Sequence, residues 1–486
     1  MKKIKFLIVC FLISFTCILF SCADKSSNET AKDNPTTSEN DIVAGDTEPD
    51  NINDREAVGD GLPDIDFDGY IFRIITREDF IDSIVAYEQN ADVINDAFYR
   101  ANIAVEDRFN VKIQAIGNPD PAGAASKFIK SNDDAFDLVF EFGDASIVAP
   151  MLQGCFINLY SLNHLDFNKP WWPKNTVDSL TFNGKMYMYS NSMTTLGMDW
   201  TRALFINKGM AADMGVTVPY QDVFDGTWTL DKMTKLTKDI YRDVNGNGEK
   251  DGEDLYGYVF TGRYFCSIEP FGIQIVKKTG NTLELDVLSE RTIKAVDMMY
   301  DLMIESKGTY YNNEHDTISV DMFSNGQCLI AYSQLGMARS HLRFSDVDYG
   351  ILPFPKLDET QETYYTGNHD RVFAVPTTAP NLDRTAVMIE AMSAEGWKKV
   401  FPAYYEIAMK NKYLSDEESI KILDLLYSTR VLDFTYVYGI YKFNLMFDEL
   451  FNTKNPSRDV VSYFEKNQNS VKKDLQKIED KFNELD

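Results

Sequence analysis

The sequence predicts an α/β fold divided into two lobes. Between residues 70 and 140, β-rich apolar runs alternate with amphipathic helical ones, the pattern of a parallel sheet with helical crossovers. From Leu62 onward the composition is globular, and about 420 residues exceed what one hydrophobic core holds together. Aromatic residues make up 13% of the chain, so apolar side chains are abundant enough for two such cores.

"YIFRIIT" (70–76) alternates and is rich in β-formers, which makes it the first strand. In "DVINDAFYRANIAVEDRFNVKIQAI", Ile94, Phe98, Ala101 and Val105 form one stripe of a helix that runs into a strand at 111–116. "AASKFIKSNDDAFDLVFEF" repeats the pattern, with a helix and then an apolar strand at 136–140. Right-handed crossovers then make the three strands parallel. Ligands of such sheets sit beyond the carboxyl ends of the strands, where Glu141, Phe142, Gly143 and Asp144 are expected. "FNGKMYMYS" (182–190) reads as a hairpin turning at Asn183-Gly184. "TRALFINKGMAADMGV" is a strand and a short helix, and "GTWTLDKMTKL" starts a helix capped by Thr229, with Trp228 as a packing staple before it. "LYGYVFTG", "SNGQCLIAYSQ", "VDYGILPFP" and "RVFAVPTTA" are strand-like, a helix runs around 291–303, and the C-terminal third is mostly helical.

The amino-terminal segment has another character. Lys2, Lys3 and Lys5 precede an apolar run from Phe6 to Phe20, shorter than the roughly 20 residues of a membrane-spanning helix. This is a secretory leader, expected over 1–21. Its end, Leu19-Phe20-Ser21-Cys22, resembles the bacterial lipobox, which makes Cys22 the expected lipid-bearing residue; an ordinary cleaved signal is the alternative. Residues 22–63 are polar and acidic and read as a disordered tether.

Charge and cysteine usage narrow the function. The chain carries 48 Lys+Arg against 75 Asp+Glu, a net charge of −27, and removing the leader lysines makes it more negative. Such a surface repels nucleic acid and anionic membrane, and a phosphate-rich ligand is disfavoured with them. A neutral or cationic small molecule passes that filter. Cys155, Cys266 and Cys328 are scattered, not the framework of a disulfide-stapled module. They are expected as buried free thiols, with a single bridge between two of them as the alternative. The four histidines form no zinc motif.

In order along the chain, "AFDLVFEF", "FNGKMYMYS", "ALFINKGMAADMGV", "GTWTLDKMTKL", "NGQCLIAYSQ", "VDYGILPFP" and "FAVPTTAPN" resemble segments of the extracellular solute-binding lipoproteins of ABC importers. The likeness is to the sugar-binding family that includes maltose-binding protein, and it spans about residues 70 to 410. Ser190 departs from the hairpin proline of that family, and Cys328-Leu329 from its small-residue pair. The resemblance implies a two-lobed, type II periplasmic-binding-protein-like fold with a ligand cleft between the lobes. It places residues 64–195 and 370–412 in the first lobe and 196–369 and 413–486 in the second. It further implies a monomeric receptor on the extracellular face of the cell membrane, or in the periplasm if there are two membranes. That receptor would hold to the membrane by its lipid anchor only, take a carbohydrate by hinge closure and hand it to ABC permease subunits.

Sugars are gripped by polar side chains that pair with adjacent hydroxyls and by aromatic faces that stack on the ring. The strand end offers Glu141 and Asp144, and the first crossover Asp199 and Trp200. "TGRYFCSIEPFG" offers Arg263, Tyr264 and Phe265, "AYSQ" offers Gln334, and the return crossover offers Tyr365, His369, Asp370 and Arg371. Each acid is equally read as a solvated surface charge. Trp171 and Trp172 in "KPWWP" are either a sugar platform or part of a rigid packed loop.

"DVNGNGEKDGED" (243–254) follows the EF-hand pattern. Asp243, Asn245 and Asn247 fill positions 1, 3 and 5, Gly248 the turn, Glu249 the carbonyl position, Asp251 position 9 and Asp254 position 12. A lone loop of this kind is expected as a structural Ca2+ site, against an Asx-rich turn without metal. No catalytic motif is recognised. A secreted glycoside hydrolase using two carboxylates, or a sensory or adhesive lipoprotein on the same fold, remain the alternative functions.

Overall fold

The computed structural model describes residues 52–261, 268–312, 317–368, 371–452 and 454–484. The leader, Cys22, most of the tether, Arg263, Tyr264, Phe265, Cys266, His369 and Asp370 lie outside the described residues. Among the described residues no helix is long and apolar enough to cross a membrane.

In the first lobe, β1 (Tyr70–Thr76) lies between β2 (Val111–Gly117) and β3 (Leu138–Phe142), parallel to both. The crossover helices are α1 (Val93–Phe109) and α2 (Pro121–Lys130). Asp92 caps α1 by accepting the N–H groups of Ile94 and Asn95 at 3.0 and 3.1 Å. The expected stripe of Ile94, Phe98, Ala101 and Val105 is buried against the sheet. Asn110 takes a left-handed φ of 48° and turns the chain straight into β2.

β3 starts two residues later than the sequence suggested. The buried carboxylate of Asp137 accepts the Arg73 backbone N–H at 2.9 Å, the Arg73 Nε–H at 3.1 Å and the Tyr70 hydroxyl. That network holds Asp137 against β1 just ahead of β3, and the ladder begins at Leu138. Glu141 therefore sits inside the sheet, opposite Val372, and not beyond the strand end. After β3 the chain enters α3 (Ala145–Leu152) and later α4 (Lys174–Leu180).

The second lobe holds β4 (Arg202–Asn207), β5 (Tyr241–Arg242), β6 (Leu255–Thr261), β9 (Thr309–Asn312), β10 (Cys328–Gln334) and β11 (Tyr349–Leu352) in one sheet. A separate hairpin pairs β7 (Val276–Thr279) with β8 (Thr282–Leu285). Between the lobes run β12 (Thr366–Gly367) and β14 (Arg430–Val431), and β13 (Arg371–Ala374) follows β12 into the first lobe. β13 returns antiparallel to β3 and completes the first sheet in the order β13-β3-β1-β2. β12 pairs with β14, and Thr201 bridges Asn368.

Two local expectations change. Asn183 and Gly184 form the turn, with φ of 48° and 68°, but only Phe182 and Lys185 pair across it. Tyr189 bonds Phe373 of β13 instead, because the open edge of β13 is a better partner than a free strand. Thr229 stands at the N-cap of the next helix, yet its side chain makes no capping bond. Trp228 is buried as expected, its indole N–H on the Pro353 carbonyl at 3.1 Å. Cys155 and Cys328 are buried free thiols.

Two C-terminal helices tie distant parts together. α5 (Leu382–Glu395) packs on α1. The last helix, α6 (Val460–Glu484), places the Phe482 ring against Phe182, Tyr187 and Tyr438, while its Glu479 accepts the N–H of Leu283 in β8 at 2.7 Å. α6 thus touches both the first-lobe turn and the β7–β8 hairpin.

Glu390 on α5 decides the fate of the tryptophan pair. Trp171 and Trp172 are buried and donate their indole N–H groups to its two oxygens, at 2.9 and 3.0 Å. They are core, not an exposed sugar platform. Burial pushes the Glu390 carboxyl up to about 7, against the pull of the two indoles. The folded acid thus keeps its proton to higher pH than the unfolded one. Its contribution to stability is complete below about 4.5 and is lost as pH rises to about 7. Glu390→Gln cannot titrate, so the melting-temperature difference between the two proteins should move in the variant's favour from pH 4.5 to 7 and then stay level. A difference that does not vary with pH would remove the buried acid from this account.

Candidate ligand-binding site

The crossings carry side chains into the seam between the lobes. Arg371 opens β13 opposite Phe142 at the end of β3. Its guanidinium carbon lies 3.9 Å from the Trp200 ring centre, 4.3 Å from Phe142 and 4.6 Å from Phe80, so three rings pack around one cation. Arg202 opens β4 directly after the Trp200 turn and reaches the same indole at 5.4 Å. Its Nη1 donates to Gln334 Oε1 at 3.4 Å, the two residues being register partners on β4 and β10. Arg77, at the end of β1, lies 5.4 Å from the Phe142 ring. Arg202 and Arg371 are each 2% exposed.

Acids and phenols face these cations. Asp144 caps α3, accepting the Ser146 N–H at 2.7 Å, and the next amide, of Ala145, bonds the Tyr441 hydroxyl at 2.7 Å. Glu269 is buried, its Oε1 taking the Asn444 amide at 2.5 Å. Burial raises the Tyr436 phenol strongly; the charges of Arg202 and Arg371 pull it down, and those of Asp144 and Glu269 push it up. These five groups therefore share one neighbourhood. Tyr365 flanks it, its ring so close to Gly272 that a β-carbon there would sit 3.0 Å away.

No protein-family model matches the chain, and no curated protein matches its sequence. Solved structures do. UgpB from Mycobacterium tuberculosis, in complex with glycerophosphocholine, aligns at a TM-score of 0.54 and 15% identity over 84% of this chain and 98% of its own. An ABC-transporter solute-binding protein from Thermotoga lettingae, bound to α-D-tagatose, aligns at 0.53 and 11% over 84% and 100%. The GacH receptor of Streptomyces glaucescens, studied unliganded and with acarbose, aligns at 0.51 and 13% over 86% and 100%. The chain has the two-lobed, type II fold of these binding proteins.

Of the residues singled out from sequence, the structure gathers Asp144, Trp200, Gln334 and Arg371 at the seam, with Tyr365 beside Gly272. Tyr264, Phe265 and Asp370 fall outside the described residues. Glu141 is buried in the sheet, its Oε1 on the Phe142 N–H at 2.9 Å. Burial raises its carboxyl, helped by the charge of Asp144. Asp199 is engaged within the protein: Oδ2 accepts Arg339 at 2.7 Å and Oδ1 accepts the Tyr404 hydroxyl at 2.9 Å. Sequence reasoning missed Arg202 and Glu269. A charged residue opening the otherwise apolar run "RALFIN" was the available signal for the first; the second lies in "SIEPFG", which has none.

The acidic loop is closed by its own hydrogen bonds. Asp243 accepts the N–H groups of Gly246 and Gly248 at 2.6 and 2.9 Å, with both glycines at positive φ. The amides of Asn245 and Asn247 donate to Asp251 at 3.1 and 2.7 Å. Glu249 follows, its N–H on the Asn247 side chain at 2.7 Å. Asp254 is fully buried, taking the Val244 N–H at 3.0 Å and the Tyr241 hydroxyl at 3.1 Å. Among the described residues no three His, Cys, Asp or Glu side chains stand grouped around a metal position. These side chains carry oxygens of the kind calcium takes, and those of Asn245 and Asn247 accept the N–H groups of Asn247 and Glu249 at 3.0 and 2.7 Å.

Removing Asp199 tests its structural place. Asp199→Ala leaves Arg339 and the buried Tyr404 hydroxyl without their acceptor and should cost about 1–3 kcal/mol in chemical unfolding. An unchanged midpoint with weakened ligand binding would return Asp199 to the cleft.

Proposed function

We propose that this protein is a lipid-anchored receptor that captures a carbohydrate between its lobes and delivers it to an ABC importer. The observation that carries this is the seam itself. Trp200, Gln334, Arg202, Arg371 and Asp144 come from both lobes and from the crossings between them. A ligand touching both sides favours the closed arrangement in proportion to those shared contacts. An indole face with polar groups at its rim is what a pyranose offers complementary surfaces to. The neighbouring folds named above, in their complexes with acarbose and tagatose, support the same class of ligand. The protein does no chemistry on its cargo in this proposal. Cys22 supplies the anchor outside the cell membrane, and permease subunits receive the sugar.

Thermal unfolding of the full-length protein against mono- and oligosaccharides tests the receptor function. A ligand at 100 times its Kd should add about 2.7 kcal/mol, seen as a raised melting temperature without product. Product formation would move the protein to the glycoside hydrolases, and no shift with any saccharide would reject the carbohydrate.

The loop at 243–254 holds one calcium as a local staple, with Asp243, Asn245, Asn247, Asp251, Asp254 and the Glu249 carbonyl as oxygen donors. Chelator should then lower the melting temperature of the wild type and leave Asp243→Ala unaffected. Equal melting with and without chelator would leave the loop as a turn held by its asparagines.

A further inference from the structure

We infer that the residues just ahead of the first strand are a clip that fastens the membrane tether to an aromatic notch on the first lobe, so that a pull on the anchor enters the protein at Arg55 and not at β1. The inference rests on the lipid anchor proposed above. Residues 22–63 contain a single arginine, Arg55, in a run that is mostly polar and acidic. A lone arginine in such a segment is expected in water. Here it is 7% exposed.

The notch is made by the turn that follows α5. Gly396–Val400 is π-helical, and Trp397 and Phe401, each 2% exposed, meet one guanidinium there. The Arg55 guanidinium carbon lies 4.5 Å from the Trp397 ring centre and 4.6 Å from that of Phe401. Its Nη1 donates to the Trp397 carbonyl at 3.4 Å. Both rings are braced by others, Trp397 by Trp171 at 6.0 Å and Phe401 by Tyr405 and Tyr427 at 5.2 and 4.6 Å. The turn lies against the chain at Ser192, where a β-carbon on Gly396 would stand 2.2 Å from the carbonyl oxygen. Only glycine allows that approach. The notch is thus shaped by the lobe's own packing, and Arg55 enters it as a guest.

Further contacts continue the clip toward β1. Lys399 pairs with Glu56 at 3.5 Å and also with Glu395 of α5. Lys169 donates to the Gly59 carbonyl at 2.7 Å. Arg108, in the last turn of α1, pairs with Asp60 and donates to the Leu62 carbonyl at 3.0 Å, and Leu62 is buried. Exposed ion pairs alone hold weakly, so the desolvated Arg55 carries most of the grip. The partners Arg108, Lys169, Trp397, Lys399 and Phe401 all belong to the first lobe. β1 is bonded on both sides, to β2 and to β3, and tension arriving at Tyr70 would act on the middle of that sheet. The clip meets it first.

Trypsin tests the clip, because Arg55 is itself a cleavage site. In the full-length protein, cleavage after Arg55 should be about tenfold slower than in a synthetic peptide of residues 48–62 with the same acidic flanks, since the protease acts on the released form. Phe401→Leu removes the ring, keeps the position apolar and leaves the cleaved sequence untouched. It should bring the rate close to the peptide's, with its melting temperature showing that it folds. If it does not fold, Arg55→Lys decides: the site stays cleavable, the planar stacking is lost, and cleavage should be faster than in the wild type. Wild-type cleavage at the peptide's rate overturns the clip and leaves the anchored receptor standing. Slow cleavage in a membrane-extracted protein whose intact mass shows no lipid on Cys22 keeps the contact but overturns the pull assigned to it, together with the anchor.

Discussion

The chain passes between its two sheets three times, and those passages are hydrogen-bonded to one another. Thr201 bridges Asn368, and Thr366–Gly367 lie parallel to Arg430–Val431. Backbone groups crossing the interior between two cores must find partners, and here they find them in the other crossings. That requirement brings Trp200, Arg202 and Arg371 to one place, because each sits within a few residues of a paired crossing segment. The side chains of the seam are thus set by the same bonds that join the lobes.

What was legible from sequence was what is local. α1 announces itself by its stripe and its Asp92 cap, and β1, β2, β4 and β10 by apolar runs between polar turns. What escaped depends on partners far along the chain. Asp137 moves the start of β3 through Arg73 and Tyr70. Asp199 is claimed by Arg339 and Tyr404, and the two tryptophans by Glu390. An acid in a chain with 75 of them carries no mark of such a partner. Arg202 was hidden for a different reason, since the first residue of a buried strand reads as its boundary, not as its business end.

The seam also separates two scales of electrostatics. Net charge describes a surface screened over about 8–10 Å by salt. Inside the seam, guanidiniums, carboxylates and a phenol act over shorter distances and in lower dielectric, where the arrangement outweighs the sum. The Tyr436 phenol is raised first by its burial, with two cations pulling it down and two acids pushing it up as smaller effects.

The first sheet is discontinuous. Phe142 lies beside Arg371, and most of the chain between them belongs to the other lobe. A chain made from its amino end therefore holds β3 with a bare edge until most of the protein exists. The helices α5 and α6, which cover the first lobe from the far end of the sequence, come later still. Such long-range closures are slow and leave apolar surface exposed meanwhile. Until that far end exists, the first sheet lacks its fourth strand and the first lobe lacks the helices that cover it.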